Sequence, residues 1–216
     1  MKKKIIIIVV VTIILIVFLY NIINKLKINN VINNTIKYED KINYSTNIIL
    51  SIKTKETSSK IDYDKIKSSN IEKITISNYL DQKLENRMIE YVVKENNKKT
   101  IYEYNGDTYE KTKKIIQDFK IDYEKLKHGK TKKLSKQKYV IKMKSYDAYN
   151  MLYSRKILSD KDTNKTIDVN IVVDIKNDFI KEISYEIDDI NDNSIIYKVK
   201  LENRDINNHN KITLPF

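Results

Sequence analysis

Cysteine and tryptophan are absent from this 216-residue chain, proline occurs once at Pro215, alanine once at Ala148, and glycine only at Gly106 and Gly129. Without cysteine there is no disulfide, no thiol nucleophile, no Cys-ligated zinc and no cysteine to carry a lipid anchor. Any attachment to a membrane must then be made by the peptide itself. Two isolated glycines build neither a phosphate cradle nor a nucleophile elbow. The only histidines are His128 and His209, so no imidazole cluster is available to ligate a metal. His128 reads as a solvated or capping imidazole beside Gly129 at a predicted helix end, and His209 as a loop residue in the polar run NNHNK. Asp188, Asp189, Asn191, Asp192 and Asn193 offer oxygen donors, but without the glycine and bidentate glutamate of a calcium loop they read as a solvated hairpin turn. The expectation is a protein with no catalysis, no cofactor and no metal.

What is abundant is Ile, Lys, Asn and Tyr, a bias that A/T-rich codons alone would produce. The 41 Lys+Arg against 29 Asp+Glu give a formal charge of +12, yet the only arginines are Arg87, Arg155 and Arg204. Nucleic-acid readers rely on arginine forks and aromatic platforms in one stripe; lysines scattered among acidic residues do not make one. No nucleic-acid partner is expected. Attraction to an anionic envelope surface is compatible with the charge.

The one long apolar run is Ile5–Tyr20 (IIIIVVVTIILIVFLY), continuing to Ile23. Nineteen residues make about 28 Å of helix, enough to cross a hydrocarbon core of about 30 Å. A cleavable signal peptide would need small residues after the run, and none is near. Lys2, Lys3 and Lys4 precede it, so the positive-inside rule places the N-terminus in the cytoplasm and the rest outside, although Lys25 and Lys27 on the other flank weaken the asymmetry. The expected division is a cytoplasmic tail (1–4), a transmembrane anchor (5–23), a tether or short helix (24–43) and an extracytoplasmic domain (44–216).

Within that domain period-two alternation dominates. Tyr44, Thr46, Ile48, Leu50 and Ile52 share one strand face, and residues 55–70 read as a polar loop. Strand signals follow at 71–80, 84–94, 99–104 and 108–112, with Asn105-Gly106 suited to a type I′ hairpin turn. Ile115, Phe119, Tyr123 and Leu126 predict one or two short helices over 113–127, with Gly129 able to serve as the residue just past their end. After a strand at 138–144, Ser145 can cap a helix over 146–157 whose inner side carries Tyr146, Tyr149, Leu152, Tyr153 and Ile157. Three one-faced strands close the chain, carrying Ile167 to Ile175, Phe179 to Ile187 and Ile195 to Leu201. Short turns between consecutive strands require antiparallel pairing. The predicted class is α+β, mostly antiparallel: a curved sheet or half-barrel of about eight to ten strands, covered by two or three short helices.

The hairpin KKTIYEYNGDTYEKT (Lys98–Thr112) and the ending NNHNKITLPF (Asn207–Phe216) resemble segments of the LolA/LppX-like superfamily of half-barrel envelope proteins and lipoproteins. That resemblance, from about residue 30 onward, implies an antiparallel sheet wrapped around helices and an apolar cavity for acyl chains or lipidated partners, without catalysis. A peptide anchor in place of a lipobox cysteine departs from the lipoprotein members and points to a local binder, sensor or accessory to an envelope complex. On this reading the candidate cavity residues are Ile48, Leu50, Tyr102, Tyr104, Tyr149, Tyr153, Ile171, Val173, Tyr185 and Tyr197. The expected function is binding of a lipid or other apolar envelope ligand; the alternative is an interaction module with a filled interior, contacting an envelope protein partner.

Overall fold

The computed structural model describes residues 2–39, 43–95, 98–104, 106–112, 121–152, 165–188, 194–206 and 212–215. Its first element, α1 (Lys2–Glu39), is one uninterrupted helix. No glycine or proline lies within it to break it, and packing of one stripe compensates for its several asparagines. Its two halves meet different surroundings. Side chains along the first half are exposed, Ile8 by 64 %, Leu15 by 54 % and Ile23 by 61 %, and the helix is long and apolar enough to cross a membrane. From Asn24 onward a stripe at helical spacing turns inward: Asn24, Ile28, Val31, Ile32 and Thr35 are all buried. The stretch 24–39, expected as a short helix or tether ahead of the domain, therefore contributes to its core and is continuous with the apolar first half of α1.

The remaining elements form a single open antiparallel sheet of eleven strands. These are β1 (Tyr44–Lys53), β2 (Ser58–Ser68), β3 (Ile71–Leu80), β4 (Lys83–Glu95), β5 (Lys98–Tyr104), β6 (Tyr109–Thr112), β7 (Lys130–Lys133), β8 (Lys138–Lys144), β9 (Thr166–Asp174), β10 (Phe179–Asp188) and β11 (Ile196–Arg204). Two meanders, β1 to β6 and β7 to β11, are joined where the first strand pairs with the last, in the order β6-β5-β4-β3-β2-β1-β11-β10-β9-β8-β7. Ile48 sits opposite Leu201 and Leu50 opposite Val199 at this seam. Between β6 and β7 the chain passes from one edge of the sheet to the other. On the way it forms a 3-10 turn (Tyr123–His128) that packs against α1 and the helix α2 (Ser145–Leu152).

Pairing sorts the strand ends into two rims. One carries the start of β1 and the turns 69–70, 134–137 and 175–178; the other carries the turns 54–57, 81–82 and 105–108. The second half of α1 lies along the first rim. Thr35 Oγ1 accepts from the Ile180 amide at 3.0 Å, Asn34 donates to Asp178, and Lys67 Nζ donates to the Glu39 carbonyl at 2.8 Å. That last contact places a cation at the helix C-terminus, where the unsatisfied carbonyls favour it. The helix thus runs from β7, past β10, to β2. Beneath it the inner face is a continuous apolar core including Ile48, Tyr63, Ile76, Ile141, Ile171 and Leu201.

Several local expectations need correction. Residues 55–70 are not a loop: they contain β2, whose inner face ends in Lys65 and Lys67 rather than apolar residues, which hid the alternation. Lys65 pairs with Glu72 at 3.4 Å and Lys67 caps α1. Gly129 does end the 3-10 turn, its amide bonding the Leu126 carbonyl at 3.4 Å, but not in the left-handed conformation usual for such a residue. Its φ of −81° and ψ of 166° are extended, and what demands glycine is close approach, since a Cβ there would lie 2.2 Å from Ile141 Cγ2 and 2.8 Å from the Lys142 carbonyl. Ser145 does not cap α2; its amide bonds the Lys165 carbonyl at 3.0 Å, and its buried hydroxyl has no partner among the described residues. Tyr104 pairs with Tyr109, so the β5–β6 connection is wider than a two-residue turn, with Gly106 at φ 108°. A tight turn with both central residues at positive φ occurs instead at Asp81 and Gln82 (46° and 69°), without glycine. The helical signal at 113–120, the continuation of α2 through 153–157, and the acidic residues 189–193 lie outside the described residues.

Candidate functional site

The ten residues nominated for a ligand cavity are not brought together. Ile48, Leu50, Ile171, Val173 and Tyr185 lie on the inner face within the packed core, each no more than 4 % exposed. A cavity wide enough for an acyl chain would leave accessible surface on the side chains lining it. Around these five almost none remains among the described residues. Tyr185 is further fixed by donating its hydroxyl to the Ala148 carbonyl of α2 at 3.0 Å. Tyr102 and Tyr104 occupy the opposite face, because Ile101 is the β5 residue that pairs inward with Val92 and its neighbours must point outward. Tyr153 lies outside the described residues.

Tyr149 and Tyr197 are different. Both are only partly buried, and their rings meet edge to face with centroids 5.8 Å apart. They belong to a set with Ile52, Ile61, Met88 and Ile167, partly buried side chains that pack against the core. Pairing puts most of these toward the rim opposite α1, where the inner face is least completely covered.

The inner face also holds charge that sequence reading missed. Glu72, 6 % exposed, receives Lys94 Nζ at 2.6 Å and Lys65 Nζ at 3.4 Å. Burial pushes its pKa up, but the two ammonium groups outweigh that and hold it below the usual carboxylate value. Near α1 a polar network ties strands to helix. Asn203 donates to the Ile180 carbonyl at 2.8 Å and accepts from Thr46 at 2.6 Å. Tyr44 and Tyr123 nearby have hydroxyls pushed far up by burial, so both stay neutral and act as buried polar tips. Each of these groups has a structural task, and none presents a nucleophile with a base. Among the described residues no three His, Asp or Glu side chains converge to hold a metal.

The outer face is polar and open. A depression of about 650 Å³ is floored by β1, β9, β10 and β11 and includes Ile49, Ser51, Asn170, Ser184, Glu186 and Lys198. A second of about 280 Å³ lies where the C-terminal residues Ile212 and Thr213 come over Ile66, Lys73 and Tyr91. Tyr91, Tyr104 and Tyr109 form an aromatic group there, with ring centroids 5.4 Å apart for Tyr91–Tyr109 and 5.0 Å for Tyr104–Tyr109. The hairpin's Tyr104 and Tyr109 thus lie on the outer face, linked through Tyr91 to the depression beside Ile212 and Thr213.

The sheet's edges differ in how they are protected. β7 (KTKK) and β6 (YEKT) are short and charged, as edges that avoid unwanted pairing usually are. The hairpin of β3 and β4 is only partly protected: Lys83, Glu85 and Arg87 put charge along it, but its free edge is longer. β5 pairs only with Glu90–Glu95 of β4, so Lys83–Ile89 bond to β3 on one side and to nothing on the other among the described residues. Residues 83–87 are exposed on both faces, and Leu80 and Leu84 at the tip are 45 % and 49 % exposed. No family model matches this chain, and no curated protein matches it either.

Proposed function

We propose that this chain is a non-enzymatic, membrane-anchored envelope module, held extracytoplasmically by α1, whose β domain binds a partner protein through the exposed β3–β4 hairpin. The observation that carries the reading is the unpaired stretch of β4. A strand edge with free amides and carbonyls, flanked by Leu80 and Leu84, is built to accept an extended segment from another chain by strand addition. The filled inner face and the continuous helix support it as well. A domain whose core includes its own anchor is held at a fixed height and orientation, which suits an accessory to a neighbouring complex. The test is a photo-reactive residue at position 84 in cells of the source organism, with position 186 on the outer face as control. Capture of one defined protein at 84 alone supports the reading; equal, diffuse capture at both positions refutes it.

A second reading keeps the half-barrel resemblance: a lipid or other apolar ligand enters at the rim opposite α1. Its support is the partly buried set Ile52, Ile61, Met88, Tyr149, Ile167 and Tyr197. Solvent extraction of the purified full chain followed by lipid mass spectrometry tests it. A stoichiometric lipid, lost on Tyr197→Asp, would favour this reading over strand addition.

A further inference from the structure

Outside α1, Leu134 and Ile175 are the most exposed of the large apolar side chains among the described residues, at 56 % and 50 %. They occupy neighbouring turns of the same rim: Leu134 follows β7, Ile175 follows β9, and the Val173 amide bonds the Gln137 carbonyl at 2.8 Å between them. This is the rim along which α1 lies. Because Asn34 and Thr35 meet β10 and Glu39 meets β2, the earlier turns of the buried half lie toward β7. The apolar half of α1 therefore leaves the domain on the side of these two turns.

The same surface is rich in lysine. Lys130, Lys132, Lys133, Lys136 and Lys138 fall within nine residues of sequence that hold no acid, and Lys176 adjoins Ile175. None of the six forms an ion pair among the described residues. The acids nearest them are engaged within the protein: Asp174 accepts from the amides of Lys176 and Asn177, and Asp178 accepts from Asn34. Exposed apolar tips ringed by lysines, beside a helix that enters a bilayer, have the composition of an interfacial docking surface.

We infer that the β7–β8 and β9–β10 turns rest on the leaflet from which α1 emerges, with Leu134 and Ile175 at the acyl boundary and the lysines among anionic phospholipid headgroups. The inference rests on α1 crossing the membrane and goes beyond the partner-binding reading, which concerns the opposite rim. Docking there would present the β3–β4 hairpin away from the bilayer.

The absence of native cysteine permits clean single-site labelling. Full-length chain carrying Leu134→Cys, Ile175→Cys or Leu84→Cys, each with an environment-sensitive fluorophore, is placed in nanodiscs of zwitterionic lipid or of zwitterionic plus phosphatidylglycerol, with nitroxide-labelled lipid as quencher. Leu15→Cys reports independently whether α1 is in the bilayer. The expected result is quenching at positions 134 and 175, roughly twofold or more stronger in anionic discs, lost in about 1 M salt and absent at position 84. Lys133→Gln, Lys136→Gln and Lys138→Gln together should remove the dependence on anionic lipid while quenching at position 15 persists. Quenching at position 15 without any at 134 or 175 would overturn the inference, as would equal quenching in both lipids regardless of salt.

Discussion

Replacing Thr35 by Val changes almost no volume but removes one hydroxyl, and that hydroxyl joins α1 to the sheet. Thr35 and Ile180 are both fully buried, and the Ile180 amide donates to Thr35 Oγ1 at 3.0 Å while the hydroxyl donates back to the Val31 carbonyl at 2.9 Å. The register of β10 against β9 shifts between Ile180 and Glu182, so this amide lies at an irregularity in the ladder. Thr35→Val leaves it buried without an acceptor, at a cost of about 1–3 kcal/mol. Taking about 2 kcal/mol for a domain of this size, the melting temperature falls by about 4–8 °C. Thr35→Ser keeps the acceptor and loses a methyl, costing about 1 kcal/mol. The assay is thermal unfolding of the full chain in detergent together with amide exchange at Ile180. Exchange should accelerate in the Val variant and stay slow in the Ser variant. Unchanged melting and unchanged Ile180 protection in Thr35→Val would refute the claim that this half of α1 is a structural part of the domain.

Three other outcomes follow from the same structure. Gly129→Ala must push against Ile141 and the Lys142 backbone and should cost about 1–3 kcal/mol, read as an earlier denaturant midpoint with unchanged slope; a neutral result would contradict the close approach. Lys65 and Lys94 hold the folded pKa of Glu72 below the ordinary glutamate value despite its burial, so its contribution is present above that ordinary value and lost as pH falls through the folded pKa. Glu72→Gln should lower stability by about 1–3 kcal/mol near neutrality and flatten the acid-side decline, and a parallel stability–pH curve would count against it. Ile32→Ala, at a fully buried position on the inward stripe of α1, should cost about 2–5 kcal/mol, whereas Leu26→Ala, 58 % exposed, should leave domain unfolding nearly unchanged; equal effects would mean the buried stripe is misassigned.

Much of the fold was legible because its strands are one-faced. The alternation in β1, β9, β10 and β11 and the short turns between them imply the antiparallel meander directly. What stayed hidden depends on long-range partners. β2 shows too little apolar alternation because its inner face ends in lysines, Lys65 satisfied by Glu72 on the next strand and Lys67 by the end of α1, which is remote in sequence. β7 is an edge of four residues, three of them lysine, which looks like loop. The helical stripe Asn24, Ile28, Val31, Thr35 carries two polar residues, so its apolar signal is diluted; Thr35 is useful for its hydroxyl and not for its apolarity. Inner and outer tyrosines are indistinguishable by residue type, so Tyr102 and Tyr104 could be separated from Tyr185 only by register. An unpaired length of β4 leaves no mark in sequence at all, since it exists only because β5 is shorter than its neighbour.

The central claim is that α1 is one continuous helix whose second half belongs to the core of the β domain, and truncation tests it most directly. A chain beginning at residue 24 retains the buried stripe without the apolar half, and a chain beginning at residue 44 retains only the sheet and its shorter coverings. Cooperative thermal unfolding measured on both should show the first as a folded, soluble domain and the second as unfolded or aggregated. Two equally stable, cooperative domains would contradict the account, and residues 24–39 would then be a tether after all.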